Sequence, residues 1–403
     1  MPKLTICGGG NAAHVMMALA PNAGWEVDVF APLANEADRL QAGIATDGIT
    51  AGFGNHQVTG CPRRVSANPG QVIPGSRLVL LALPAFAHGD MLQAIAPFLD
   101  TGVAVGALPA RSGFDYQARA ILGDRPTVSL FGLQTLPWAC RITTYGQSVE
   151  VLGTKAGVDV AVSPADRADE LVAELAALLG LKLKPVASFL TLTLANTGQL
   201  IHPGIMYGLG RGREADTFTA ADIPLFYQGV DQPTATTLQA MSDEGQAIAG
   251  AIAASQPHFN PQEVLSLYDW LLHSYPTDIT DSTSLQRAFN TNRAYAGLRL
   301  PTRLVGPDTF AIDYQARYLA EDVPYGLAVL RGLAELAGVA TPTLDAVITW
   351  AQQRLGRHYL HNGTLSGADL SHTRAPQAYG IFDFGLHQAI QNRKSRQRHA
   401  SEI

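Results

Sequence analysis

Cysteine is scarce in this 403-residue chain: only Cys7, Cys61 and Cys140 are present, and none stands in a Cys-x-x-Cys or Cys/His spacing. An odd count without such spacing argues against a disulfide framework and against a metal site, so no metal is expected and a reducing compartment, the cytosol, is. Charge of one sign is also in short supply. With 28 Lys and Arg against 34 Asp and Glu, the net charge of −6 offers neither the basic surface that nucleic acid demands nor a polybasic membrane anchor. No cationic, apolar leader precedes the first strand-like run, so no cleaved signal is expected. The longest apolar stretch, "PVASFLTLTLANTGQLIHPGIMYGLG" from Pro185, contains Asn196, Gln199, His202 and Pro203, which marks a buried helix rather than a membrane span. What remains is a globular protein, monomer or homodimer, whose partners are small molecules.

Glycine, by contrast, is placed where it counts. In "KLTICGGGNAAHVMMALA", Leu4 to Cys7 read as a short buried strand and Ala12 to Ala20 as a helix, so Gly8, Gly9 and Gly10 fill a strand-to-helix turn. Gly8 permits the tight turn, Gly10 lets backbone approach an anion, and Ala13 allows close packing of helix on strand. The N–H groups of the helix start, through Asn11 and Ala12, then face a phosphate. Gly8-x-Gly10-x-x-Ala13 is a weak pattern alone and a stronger one in this context; a plain glycine turn is the alternative.

Further strands follow in "EVDVFA" (26–31), "SRLVLLALPA" (76–85) and "GVAVGALPA" (102–110), separated by helical segments, which predicts a doubly wound parallel sheet. "VSLFGLQTLPWACRI" and "SVEVLGTKAGVDVAVS" are expected to extend that sheet, and "ADRADELVAELAALLG" to close it as an amphipathic helix. Beyond Pro185 strand signals fade and three-to-four-residue apolar spacing dominates. The chain is therefore read as an α/β domain over 1–187 and an all-helical domain over 188–403, ending in a solvated basic tail, "NRKSRQRHASEI".

Ligands of open α/β sheets lie beyond the carboxyl ends of the strands. After the second strand, Phe30 and Ala31 lead into Pro32 and Leu33, neither the acid that favours NAD nor the arginine that favours NADP. Leu83, Pro84 and Ala85 end the next strand, and His88 follows, either lining the cofactor site or capping a helix. His202 precedes Pro203, so the helix is expected to kink or stop there; the histidine is a general acid/base or a satisfied buried residue. Arg317, Glu321 and Asp322 share helical spacing, giving either a surface ion pair or a carboxylate clamp with an aspartate to orient His202.

The blocks "CGGGNAAH", "LPAFAHGDMLQAIAPFL", "LPWACRI", "VEVLGTK", "IHPGIMYG", "PLFYQGVDQPTA" and "RYLAEDVPYGL", in this order, resemble the octopine/opine dehydrogenase family. The resemblance implies a Rossmann domain, an all-helical domain, and NAD(P)H-dependent reductive condensation of an amino acid with a 2-oxo acid, commonly pyruvate. NAD(H) is favoured, with NADP(H) as the alternative. It also implies His202 as the catalytic histidine, Asp322 as its partner, Arg317 and Arg111 as carboxylate grips, and Thr135 beside the oxo acid. Trp138 becomes a wall of the site. Cys140 falls in a matching block, though a small buried hydrophobe is its plainer account. The resemblance also implies departures from the arginine-using members at three places, where those carry an acid at Gln134, glutamine at Arg111 and tyrosine at Gly198. A small or uncharged donor such as alanine, glycine, β-alanine or taurine is therefore expected. The rivals are a 2-hydroxyacid dehydrogenase acting without an amine and a non-catalytic dinucleotide sensor.

Overall fold

The computed structural model describes residues 1–44, 47–123, 127–256 and 259–384; the basic tail lies outside them. The chain runs β1 (Lys3–Cys7), α1 (Asn11–Asn22), β2 (Glu26–Phe30), α2 (Glu36–Ile44), β3 (Ile49–Phe53), β4 (His56–Gly60), β5 (Arg64–Ser66), α3 (Pro69–Val72), β6 (Leu78–Leu81), α4 (His88–Ile95), β7 (Ala104–Ala107), α5 (Phe114–Leu122), β8 (Ser129–Leu133), β9 (Trp138–Thr144), β10 (Ser148–Thr154), β11 (Gly157–Ser163), α6 (Ala168–Leu179) and β12 (Lys182–Pro185). Eight strands form one sheet in the order β12-β11-β8-β7-β6-β1-β2-β5, parallel except where β11 meets β8. Every residue of "LVLL" in β6 and "AVGA" in β7 is buried, because helices cover both faces. Strand β1 sits between β2 and β6, with Leu4 opposite Val27 on one side and Leu78 on the other. The strand order reverses there, which puts the binding crevice outside the carboxyl ends of β1 and β6.

Strands β9 and β10 depart from expectation. They do not extend the large sheet but pair with β3 and β4 in a second one, ordered β4-β3-β10-β9. Their pattern explains it: Trp138 and Cys140 of β9 are buried while Ala139 and Arg141 are exposed, as in a sheet with one covered face. The β3–β4 hairpin was absent from the sequence reading, although "FGNH" carries a turn signal in Gly54, whose φ is +61°.

Helix α1 is buried along most of its length, which is why "AAHVMMALA" shows no polar face. Strand β4 lies against it so closely that a methyl group on Gly60 would stand 2.5 Å from the Ala18 carbonyl oxygen and 2.6 Å from that of Met17. The one titratable side chain in this stretch, His14, is fully buried and satisfied at both ring nitrogens. Gly146 N–H, in the β9–β10 turn, donates to its Nε2 at 2.8 Å, so the proton is on Nδ1, which donates to the Gly10 carbonyl at 3.0 Å. Asn11 adds a bond, its Oδ1 accepting from Ile142 N–H at 2.9 Å.

The described residues divide after Leu192 into two compact units. The second is mainly helical, with α7 (Phe189–Leu194) leading in, then α8 (Gly198–Gly210) and α9 (Gln232–Ser255), plus a small sheet formed from 217–218, 302–306 and 309–312. Helix α8 continues through Pro203 instead of stopping at it. Pro203 is the sixth residue of the helix and leaves the Gln199 carbonyl without its helical partner, yet the break in the chain lies earlier, over 195–197. Helix α9 starts at Asp231, whose side chain accepts from Thr234 N–H at 2.9 Å, with Pro233 in the first turn.

Two outcomes check this account. Gly60→Ala should destabilise the protein by roughly 1–3 kcal/mol, because the clash is with backbone that cannot rotate away; calorimetry should show a Tm several degrees lower. Burial holds the His14 pKa below its usual 6.5. The unfolded chain therefore takes up the extra proton first, so the stability contributed by neutral His14 is complete above pH 6.5 and is lost as pH falls below it. The Tm advantage of wild type over His14→Gln should be smaller at pH 5.5 than at pH 7.5, and an equal advantage at both would refute the assignment.

Candidate active site

At the end of β1, Gly8 has φ +108° and a methyl group there would lie 2.6 Å from Leu83 Cδ2, so only glycine fits. Gly10 opens α1 without a side-chain cap, and nothing lies within 4 Å of the place its Cβ would occupy. The first-turn N–H groups of Asn11, Ala12 and Ala13 belong to the positive end of a helix whose opening residue leaves room for a ligand, which fits a dinucleotide pyrophosphate. Phe30 and Ala31 are buried at the end of β2, where the Phe30 carbonyl accepts from Gly8 N–H at 2.9 Å. Ala85 is buried beside Pro84, and His88 Nε2–H donates to the Leu83 carbonyl at 2.9 Å, which makes His88 part of the turn's framework.

An acid does serve this turn, six residues beyond Phe30. Glu36 Oε1 accepts from the Tyr145 hydroxyl at 3.3 Å, and it lies against Gly9 so closely that a methyl group there would stand 2.6 Å from it. Burial raises the Glu36 pKa, and burial, then the Glu36 charge, pushes Tyr145 up to about 12. The Arg39 guanidinium sits 4.2 Å over the Tyr145 ring. Reading only Phe30 to Leu33 missed Glu36 because the loop before α2 is longer than the spacing sought.

In the second unit, α8 carries Gly198 and His202 four residues apart on one face. Asp322 opens a π-helical turn, Val323–Leu327, in which its carbonyl accepts from Leu327 N–H at 2.8 Å. That turn brings the Asp322 carboxylate to His202: Nδ1 to Oδ2 is 2.7 Å, with side-chain exposures of 18% for the histidine and 3% for the aspartate. Carboxylate only accepts, so Nδ1 bears the proton and Nε2 is the working atom. Tyr227 hydroxyl lies 2.9 Å from Nε2, and the Tyr318 ring stacks on the imidazole at 4.2 Å and 13°. An imidazole held this way has a fixed tautomer and a counter-charge for its protonated form, as general acid/base chemistry requires. The sequence reading missed both tyrosines; Tyr318 is four residues before Asp322, a spacing that could have exposed it.

Arg317 makes the ion pair expected from its spacing, with both Nε and Nη2 at 2.5 Å from Glu321 Oε2. Glu321 is buried while the arginine side chain stays 58% exposed, leaving its outer edge available to a carboxylate. The remaining candidates belong to the first unit. Arg111 lies beyond β7 with φ +61°, and Gln134 and Thr135 follow β8, half-buried. Trp138 and Cys140 point inward from β9; burial raises the Cys140 thiol pKa, which makes it inert. Among the described residues, no helix is long and apolar enough to cross a membrane.

Residues 185–355 match the family described as NAD/NADP octopine/nopaline dehydrogenase, alpha-helical domain. The chain is 40% identical to octopine dehydrogenase of Mizuhopecten yessoensis over 94% of this chain and 96% of that one. It is 36% identical to tauropine dehydrogenase of Arabella iricolor, over 94% and 98% respectively. A solved structure of octopine dehydrogenase with NADH and L-arginine superposes with a TM-score of 0.89 at 36% identity, covering 98% of both chains. The chain belongs to the octopine/opine dehydrogenase family, NAD(P)-dependent oxidoreductases that act on CH–NH bonds.

Proposed function

We propose that this opine dehydrogenase condenses pyruvate with a small or uncharged amino donor, in the reducing cytosol, and prefers NADH. The first unit is read as the cofactor domain and the second as the substrate domain. The observation that carries the reading is the His202–Asp322 pair, 2.7 Å apart, with Arg317 on the segment that supplies Asp322.

Attack of an amine on the oxo-acid carbonyl gives a carbinolamine, and loss of water from it gives an imine. Both steps move a proton to or from oxygen, which is the work of His202, with Asp322 holding its tautomer and balancing the imidazolium. Arg317, anchored by Glu321, grips a substrate carboxylate and so fixes the carbonyl for attack, and Arg111 and Thr135 are assigned to the same task. The reduced nicotinamide, when bound, supplies the hydride that reduces the imine carbon. Glu36 beside Gly9 supports NADH: a carboxylate there accepts a ribose hydroxyl and repels a 2′-phosphate.

For the donor, Gln134 offers no charge to a guanidinium, Arg111 repels it, and Gly198 leaves no side chain to pack a long substrate. Taurine has additional support in the likeness to tauropine dehydrogenase. NADH oxidation with pyruvate should require an amine, and among glycine, L-alanine, β-alanine, taurine and L-arginine the last should be the poorest. Turnover with pyruvate alone would sink the amine step, and cofactor binding without turnover on the whole panel would leave a sensor. His202→Ala should lower amine-dependent kcat by about 10²–10⁴.

Cofactor choice has its own test. Glu36→Gln should narrow the NADH over NADPH ratio of kcat/KM by about tenfold, and an unchanged ratio would remove Glu36 from the discrimination.

A further inference from the structure

Asp322 commits Nδ1 of His202, so every proton the imidazole exchanges with substrate must pass at Nε2. That atom is not open. Tyr227 hydroxyl lies 2.9 Å from it, and because neutral His202 presents a lone pair there, the phenol is the donor. Burial, reinforced by Tyr318, holds the Tyr227 pKa far above its usual value, so the group is an O–H donor throughout the working pH range.

Neither partner is free to turn aside. The Tyr227 ring stacks on Tyr295 at 4.1 Å and 15°, meets Phe226 edge-on at 4.9 Å and 88°, and is only 7% exposed. His202 is held by Tyr318 on its face and by Asp322 at Nδ1. A substrate oxygen reaching Nε2 directly would have to displace a clamped tyrosine.

We propose that Tyr227 is the catalytic residue that hands the proton to the substrate oxygen, with His202 behind it; this rests on the opine dehydrogenase reading of the site. In the dehydration step, imidazolium Nε2–H passes its proton to the Tyr227 oxygen while the phenol's own proton goes to the carbinolamine hydroxyl. The C–O bond breaks, water leaves, the nitrogen lone pair forms the C=N bond, and His202 is left neutral. The phenol ends as it began. Its high pKa is therefore compatible with the role, since phenolate never accumulates. The same two-proton path run backwards removes a proton from the substrate oxygen.

Tyr227→Phe deletes one oxygen and keeps the ring against Tyr295 and Phe226. With pyruvate and the fastest amine of the five named above, single-turnover NADH oxidation by this variant should fall by about 10²-fold or more, while KM for NADH stays within about twofold. A rate within about threefold of wild type overturns the relay, as does a loss matched by an equal rise in KM for NADH. His202→Asn, run in parallel, separates the two readings. If it retains wild-type turnover, the assignment of the site itself fails; if it is inactive while Tyr227→Phe is not, the relay alone fails. Should Tyr227→Phe not fold, fluorotyrosine at 227 keeps the hydroxyl and lowers its pKa. A rate that follows phenol acidity supports the relay, and an unchanged rate overturns it.

Discussion

The start of α1 must be rigid and unsatisfied at once. Its N–H groups can face an anion only if no side chain caps them, yet an uncapped helix start is prone to fray. The fold meets both demands through burial. Helix α1 is enclosed along most of its length, so any polar group on it must be paired within the protein. His14 meets that demand and uses it, tying the Gly10 carbonyl to the β9–β10 turn through its two ring nitrogens. Asn11 ties the next residue to β9, and Asn22 Nδ2 donates to the Thr59 carbonyl in β4 at 2.7 Å. The second sheet is thus less an ornament on the Rossmann frame than the support of its phosphate turn.

Much of this was legible in the sequence, and the failures have physical causes. The glycine turn, the buried strands β1, β6 and β7 and the helical second half follow from local patterns, because a strand covered on both faces or a helix with one apolar stripe advertises itself. The fate of β9 and β10 did not, since which sheet a strand joins is decided by long-range pairing. Helix α8 was expected to kink or stop at Pro203; it does not stop there, and the break falls at 195–197, because backbone pairing around that site is decided by the tertiary packing and not by the proline alone.

The site divides the same way. His202, Asp322 and the Arg317–Glu321 pair could be named from residue type and spacing, and family resemblance sharpened them. Tyr227 and Glu36 could not be. Tyr227 lies 25 residues from His202 in sequence, with a hydrogen bond that exists only in the folded chain. Glu36 reaches Gly9 across a loop whose length no short motif encodes. In both cases the residue type was unremarkable and only the folded geometry brings the side chain to its neighbours.

The meeting of His202 and Tyr227 is set by the opposite side of α8. Gly204 lies about 200° around the helix from His202, at 100° per residue, and a methyl group there would stand 2.6 Å from Leu238 Cδ2. Gly208, one turn on, lies closer still to the Thr234 side chain. Both contacts are made by α9, so the two helices approach as nearly as glycine allows. Thr234 also gives its N–H to Asp231, the cap that starts α9, and Tyr227 is four residues upstream of that cap. The loop from Tyr227 to Asp231 is therefore short and anchored at Gly208, on the helix that carries His202. A side chain added at Gly208 would push α9 and its leading loop away from α8. The hydrogen bond at Nε2 tolerates only a few tenths of an ångström before it fails, so the small residues at the back of α8 are a condition of the His202–Tyr227 contact at its front.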